Sequence, residues 1–276
     1  MSRVVCVGLA TLDTIFALPR HPGPDDRVVA SELVVAGGGP AATAAVALAR
    51  LGVETAFVGA VGDDDVGAAI RDGLAAEGVD VGELAVEPGA RSPLSSILVT
   101  DDGRAIVHFP GSGPLLRPSE RALGLMRTAD WVHVDHAGYP VAPRDVRLSI
   151  DGGNPIPGLD LNGVALYSPT RAGVERDFGS ADAALAAGAE LVVVTSGERG
   201  CSAYSAEGEL DAVASPVAAA VSTLGAGDVF HGALLAAFVD GSPLPAALAF
   251  ANRCAALSCR ALDGRSAIPT LEEVRA

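Results

Sequence analysis

The chain has 276 residues, a formal net charge of −15, an apolar fraction of 49% and an aromatic fraction of only 4%. Its length suits one large α/β domain, and its acidity argues against a nucleic-acid or anionic-membrane partner. All the basic residues are arginine, which excludes a Walker A loop ending in Gly-Lys-Ser/Thr and a Schiff-base lysine.

A core of Ala, Val, Leu and Gly favours helices packed on a parallel sheet over an aromatic-rich sandwich. No apolar run reaches transmembrane length. The opening MSRVVCVGLATLD reads as a first strand, not a signal peptide. Cys6, Cys201, Cys254 and Cys259 form no CxxC pair, which points to reduced thiols and a cytoplasmic location.

Taken in chain order, Arg3 to Leu9 is a Val-rich strand, with Asp13 just after it. A Pro/Gly/Asp loop (19–26) precedes a strand expected at Val28 to Val35. GGGPAATAAVALARLG (37–52) reads as a glycine turn followed by an Ala-rich helix that Gly52 stops. Thr55 to Val61 is the next strand. GDDDVGAAIRDGLAAEGV (62–79) is a helix whose Asp63, Asp64 and Asp65 stand at its positive end. Ser95 to Thr100 and Ala105 to Phe109 flank Asp101-Asp102-Gly103-Arg104, a hairpin signal. With residues 13–18 and 28–35 this hairpin is expected to form a small separate sheet. Strands follow at Trp131 to Val134, Arg147 to Asp151 and Leu191 to Thr195, with a helix at 183–189 and a loop at 151–163. Alternating β and α elements imply a mainly parallel sheet covered on both faces, with ligands beyond the carboxyl ends of its strands.

One stretch carries chemistry. In VSTLGAGDVFHGALLAAFVDG (221–241), Gly225 and Gly227 let backbone N–H groups converge at the start of an apolar helix. Such a terminus binds anions. Asp228 in its first turn is misplaced for binding a phosphate and well placed to deprotonate a hydroxyl that attacks one. A lone first-turn Asp is usually a dipole-favoured ornament; the two glycines and the apolar turns that follow argue against that here. A Rossmann fingerprint fails, because its third glycine falls at Phe230. His133 and Asp135 share a strand face that His136 does not, so these three read as packed or pocket-lining, not as a metal site. His231, three residues after Asp228, either tunes it or packs.

The two glycine segments, in this order and separation, resemble the two signatures of the PfkB (ribokinase-like) family of carbohydrate kinases. The likeness runs from Val4 to about Pro269. Within the family, GGGPAATAA, GAGDVFHGAL and CRALDGRSAIP are most similar to 6-deoxy-6-sulfofructose kinases. The resemblance implies an α/β/α sandwich formed by residues 1–276 as one domain, with a β lid at about 13–35 and 93–110. It implies ATP and Mg²⁺ as cofactors, a sugar as acceptor and a homodimer formed through the lid. Asp228 would be the catalytic base, and Gly225, Ala226 and Gly227 would offer N–H groups to the phosphoryl charge. Asp13, Gly37, Gly38 and Gly39 would hold the sugar, with Arg27 and His108 toward its far end. Thr195, Gly197 and Gly200 would line the nucleotide phosphates; Asn252 and Gly264 would border the adenine.

The chain also departs from the pattern. Ala42 stands where many members carry a sugar-binding Asn. Ser222 replaces an Asp that helps form a monovalent-cation site, which leaves potassium activation open. Ser168 and Arg171 occupy the positions of an Asn and a Glu linked to magnesium, so the resemblance names no metal ligand. Ala137 lies near the position expected for an anion-binding Arg. Kinases of another sugar, a sugar acid or a nucleoside stay open beside the sulfofructose reading, as does a non-catalytic sensor. With only Phe16 and Phe109 as lid aromatics, the nucleoside ranks lower.

Overall fold

A computed structural model describes residues 4–113, 116–216 and 220–275. The first half of the chain comprises β1 (Val4–Val7), β2 (Thr11–Ala17), β3 (Glu32–Gly38), α1 (Pro40–Arg50), β4 (Thr55–Gly62), α2 (Asp65–Ala76), β5 (Asp80–Glu87), β6 (Leu94–Thr100), β7 (Gly103–Phe109) and α3 (Glu120–Thr128). The second comprises β8 (Trp131–Val134), β9 (Leu148–Gly152), β10 (Leu166–Pro169), α4 (Arg171–Asp177), α5 (Ala181–Ala186), β11 (Leu191–Thr195), β12 (Cys201–Ser205), β13 (Gly208–Ala212), α6 (Ala226–Val239), α7 (Leu244–Ser258) and α8 (Leu271–Arg275).

A nine-stranded sheet runs β13-β12-β11-β10-β9-β8-β1-β4-β5. It is parallel from β11 to β5, and β12 and β13 close one edge antiparallel. The central strands β1 and β8 are buried throughout, as parallel strands covered on both faces must be. Two apolar clusters form the two sides of the core. One packs α1, α6 and α7 around Phe57, Leu48 and Leu234. The other gathers Met126, Leu161 and Tyr167. Helix α6 buries Val229 through Ala237 without a break, so it lies inside the protein and not on its surface.

The second sheet is small and runs β3-β2-β6-β7. It is antiparallel except for β2 and β6, which run parallel. Ile15 and Ile97 turn inward onto Leu262 and Leu224, while Leu33, Val35 and Val107 face outward and are exposed.

Several boundaries differ from expectation. The helix expected at 183–189 spans Ala181–Ala186, and β7 begins at Gly103, inside the expected turn. The strand expected at Val28 to Val35 begins at Glu32 and continues through Gly37 and Gly38. Only Gly39 makes the turn, at φ 92°, as N-cap of α1. Glycine's missing side chain disguised the end of this strand, and the apolar run at 28–30 suggested its start. Strands β5 and β13 carry exposed polar residues and β12 half-buried serines, and none had a legible apolar run.

Candidate active site

The sharpest local constraint is Gly225. It caps α6 in the left-handed region at φ 73°, and a Cβ there would come within 2.9 Å of the Gly264 backbone. Only glycine satisfies both demands. This close approach seats the loop at 263–266 beside the start of α6. The N–H groups of Gly227 and Asp228 meet no backbone acceptor among the described residues, so the helix offers free donors with its positive end. Asp228 follows in the first turn.

Asp228 does not stand alone. Asp151, at the carboxyl end of β9, and His231, one turn further along α6, bring ligand atoms that all lie within 4.8 Å of one another with that of Asp228. His231 Nδ1 is 3.6 Å from Asp151 Oδ2. Burial and the neighbouring Asp151 charge push the Asp228 carboxyl up to about 7, against the opposing pull of His231. Burial would lower His231, but Asp151 overcomes it and holds the imidazole above its ordinary value. Asp151 is in turn held below the usual carboxylate range, because His231 and the Gly153 N–H outweigh the burial that opposes them. His231 thus stands beside two acids, Asp151 held ionised and Asp228 poised near neutrality, and neither of its ring nitrogens has a hydrogen-bond partner among the described residues. His133 lies behind it, ring centroids 5.7 Å apart, with Nδ1 3.0 Å from Ser149 Oγ. Burial pushes His133 down to about 3, so it stays neutral.

The acceptor side is built on the base of the small sheet. Asp13 on β2 is buried, and its Oδ1 accepts from Thr11 Oγ1 at 2.7 Å. Burial raises its carboxyl, partly offset by the Thr11 and Ser95 hydroxyls. Gly38 must be bare, because a Cβ would fall onto Asp13 Oδ2. A Cβ at Gly37 would fall onto Nη1 of Arg265, and one at Gly39 onto the Leu9 carbonyl. His108 pairs with Ser95, with Nδ1 3.3 Å from Oγ, on the strand beside Asp13.

Asp135 anchors this turn to the large sheet. Its Oδ2 accepts from Leu9 N–H at 2.8 Å and Ala41 N–H at 3.2 Å, and its Oδ1 from Ala137 N–H at 2.8 Å and Gly138 N–H at 3.1 Å. Asp135 is therefore a structural acid at the start of α1. Of the acidic run, Asp64 caps α2 through Gly67 N–H at 2.8 Å.

The turn Thr195 to Gly200 follows β11, with Gly197 at φ 59° and Gly200 at φ 86°. A cleft lined by Arg171, Ser196, Arg199 and Ser202 opens beside it. Asn252 sits near this cleft, but its side-chain amide donates to the Ala212 and Val213 carbonyls at 3.0 and 3.1 Å. It ties α7 to β13. Gly264 lies against Gly225. Ser168 Oγ donates to the Val193 carbonyl, Arg171 reaches Ser196, and Ser222 Oγ accepts from Leu224 N–H. Arg27 is exposed in the connection beyond the far end of β2, and among the described residues no hydrogen bond or ion pair joins its side chain to the other site residues.

Sequence reasoning missed Asp151 and Arg265. Asp151 had a usable signal, an acid at the carboxyl end of a parallel strand. Arg265 had none, because its partners are more than 200 residues away.

The chain matches relatives along its whole length. It is 30% identical over 300 aligned positions to the ATP-dependent ribose-1-phosphate kinase of Halopiger xanaduensis, covering 100% of this chain and 98% of the relative. It is 28% identical to the ribokinase of Bacillus subtilis, covering 99% and 98%, and 30% identical to a fructokinase of Solanum tuberosum, covering 86% and 84%. None of these names supports the sulfofructose specificity expected from the tail and glycine segments. In fold, it superposes on Arabidopsis thaliana ribokinase with a TM-score of 0.82 at 24% identity, covering 99% and 97%. It also superposes on the Giardia lamblia ribokinase with a TM-score of 0.86 at 17% identity, covering 100% and 99%. The family pattern described as pfkB family carbohydrate kinase matches residues 1–146 and 172–271. Those segments include both the glycine turn that carries Asp13's neighbours and the helix start that carries Asp228, and on this match the chain belongs to the pfkB family of carbohydrate kinases.

Proposed function

We propose that the chain transfers the γ-phosphoryl group of ATP to a primary hydroxyl of an uncharged sugar of the ribose or fructose type. The observation that carries this reading is Asp228, a carboxyl pushed up to about 7 at a helix start where the Gly227 and Asp228 N–H groups meet no backbone acceptor among the described residues, while the Ala226 N–H donates to the Thr223 carbonyl at 3.3 Å. A base poised near the operating pH is ionised often enough to act and basic enough to take a proton. The acceptor hydroxyl donates to Asp228 and attacks in line. The N–H groups of Gly225, Ala226 and Gly227 receive the charge that develops on the transferred group. Asp13 accepts from sugar hydroxyls, and Gly37, Gly38 and Gly39 let the sugar lie against the backbone. Thr195, Gly197 and Gly200 line the nucleotide phosphates, and the Arg171 and Arg199 guanidinium groups beside them suit that charge. Asn252 supports the nucleotide cleft through the Ala212 and Val213 carbonyls, while Gly264 lies against Gly225 at the start of α6.

Magnesium fits the acids at this site. Asp151, held ionised beside Asp228, would hold Mg²⁺ together with water and phosphate oxygens. Bound there, Mg²⁺ would neutralise phosphate charge.

An uncharged acceptor fits better than sulfofructose. Arg27 is exposed and away from the other acceptor residues, and Ala137 offers only an N–H that Asp135 already holds. A sulfonate would stand there without a cation. The outward face of the small sheet, with Leu33, Val35 and Val107 exposed, suits a second copy of the chain, checked by light scattering.

The test is a coupled ADP-release assay with Mg-ATP over ribose, fructose, ribose 1-phosphate, 6-deoxy-6-sulfofructose, sugar acids and nucleosides. ADP release with ribose or fructose supports the reading. Turnover confined to an anionic sugar or a nucleoside overturns the acceptor class. No turnover with any acceptor, beside ligand-induced melting shifts, favours a sensor.

A further inference from the structure

Arg265 is the buried cation that the reading above leaves without a task. It is only 7% exposed, and its neighbours account for part of its hydrogen-bonding capacity. Nε donates to Thr43 Oγ1 at 3.2 Å and Nη2 to the Gly38 carbonyl at 2.6 Å. Nη1 donates to no protein atom among the described residues. A guanidinium carries five N–H donors in a fixed fork. Two are used and three have no protein partner among the described residues, and no Arg265 nitrogen is among the fully buried atoms left without one, so these donors can be reached. A brace for the turn needs only the two bonds already made.

The position of the free nitrogen is specific. Nη1 lies where a side chain at Gly37 would stand, and Asp13 Oδ2 lies where one at Gly38 would stand. Two consecutive glycines therefore bare a donor and an acceptor at the same strand end. Asp13, Asp228, Glu77 and Asp263 all act on the guanidinium through charge, with Asp13 foremost among them, yet none of their side chains forms an ion pair with it among the described residues. The surroundings are already acidic, which suits a neutral polyol better than an added anion.

We infer that Arg265 is an acceptor-specificity residue: its Nη1 donates to a hydroxyl oxygen of the same sugar that Asp13 holds, so that Asp13 and Arg265 read the acceptor as a matched acceptor–donor pair. The inference rests on the kinase reading above and deepens it. One sugar hydroxyl can give its proton to Asp13 while another receives one from Arg265. A deoxy analogue that lacks either hydroxyl leaves one of the two groups unmet.

The experiment measures KM and kcat with D-ribose, D-fructose, 2-deoxy- and 3-deoxy-D-ribose and ATP for the full-length protein and for Arg265→Gln and Arg265→Lys. The lysine variant keeps the charge, and so guards against loss of the fold in the glutamine variant. The expected result is an acceptor KM at least ~10-fold higher in Arg265→Gln and ~3- to 10-fold higher in Arg265→Lys, with ATP KM within about 2-fold. Discrimination between ribose and at least one deoxy analogue shrinks by a similar factor in both variants. An unchanged acceptor KM and unchanged discrimination, beside a lower melting temperature, would make Arg265 a brace and overturn the inference. Wild-type protein that releases ADP with none of these sugars would instead overturn the kinase reading on which it rests.

Discussion

The two halves of the site are built in opposite ways. The side that holds the base is local: Gly225, Ala226, Gly227, Asp228 and His231 lie within seven consecutive positions of one buried helix start, and Asp151 joins them from β9. The acceptor side is assembled from distance. Asp13 comes from β2, Gly37 and Gly38 from β3, Thr43 from α1 and Arg265 from the tail. A helix turn fixes its geometry by its own hydrogen bonds. The acceptor side depends on the small sheet, α1 and the tail loop holding together. The difference suggests that the reaction type is stored in one segment, while the acceptor's identity is spread over the fold.

Exchanging one carboxylate on each side is the strongest way to break that contrast. Asp228→Asn should lower kcat by ~10²- to 10⁴-fold, the range a general base contributes, while nucleotide binding and melting temperature stay near wild type. Asp13→Asn should raise acceptor KM by ~10-fold or more through lost charged hydrogen bonds, with a much smaller loss in kcat. Steady-state kinetics separate the two. If both variants lose kcat equally, the division fails.

Backbone strain gives a second, smaller test. Gly225→Ala forces a Cβ into the left-handed region and against Gly264. It should cost about 1–3 kcal/mol of stability and reduce kcat, as read by denaturant titration and turnover together. Gly73→Ala, in α2 with open space around it, should leave both nearly unchanged or slightly improved.

The pH profile sharpens only the side that holds the base. Asp228 acts as base when ionised, so kcat/KM for the acceptor should rise as pH passes through about 7. Its raised value has the opposite sign for stability: the contribution is complete below the ordinary carboxylate range and is lost as pH rises through about 7. His231 pulls Asp228 down, so His231→Gln should move the kinetic inflection to higher pH. An inflection that stays in place would remove His231 from the charge network. The smallest effect belongs to the lid edge. Arg104 donates to Thr223 Oγ1 at 3.0 Å in an exposed contact, and Arg104→Ala should change stability by less than about 0.5 kcal/mol in a melt.

The same contrast explains what was legible in the sequence. Glycine spacing around Asp228 is a short-range signal, and the helix start appeared where that spacing put it. The Asp-Gly hairpin was equally local. Asp13 and Gly37 to Gly39 were found through resemblance, but their contacts were not, because Arg265 lies 227 positions from the Gly38 carbonyl it binds. Arg27 shows the converse: a sequence neighbour of the small sheet can stand away from its working end. Asn252 shows that a buried amide near a cleft can be committed to the frame.

Asp135 has a dynamic consequence. One carboxylate receives N–H groups from the end of β1, the first turn of α1 and the segment after β8. Those three segments cannot loosen one at a time without leaving the buried carboxyl short of its donors. The amide protons of Leu9, Ala41, Ala137 and Gly138 should therefore exchange with solvent as one group, on the timescale of opening the large sheet. The glycine turn beside Asp13 would then inherit the rigidity of the protein's centre, although it lies at the foot of the small sheet.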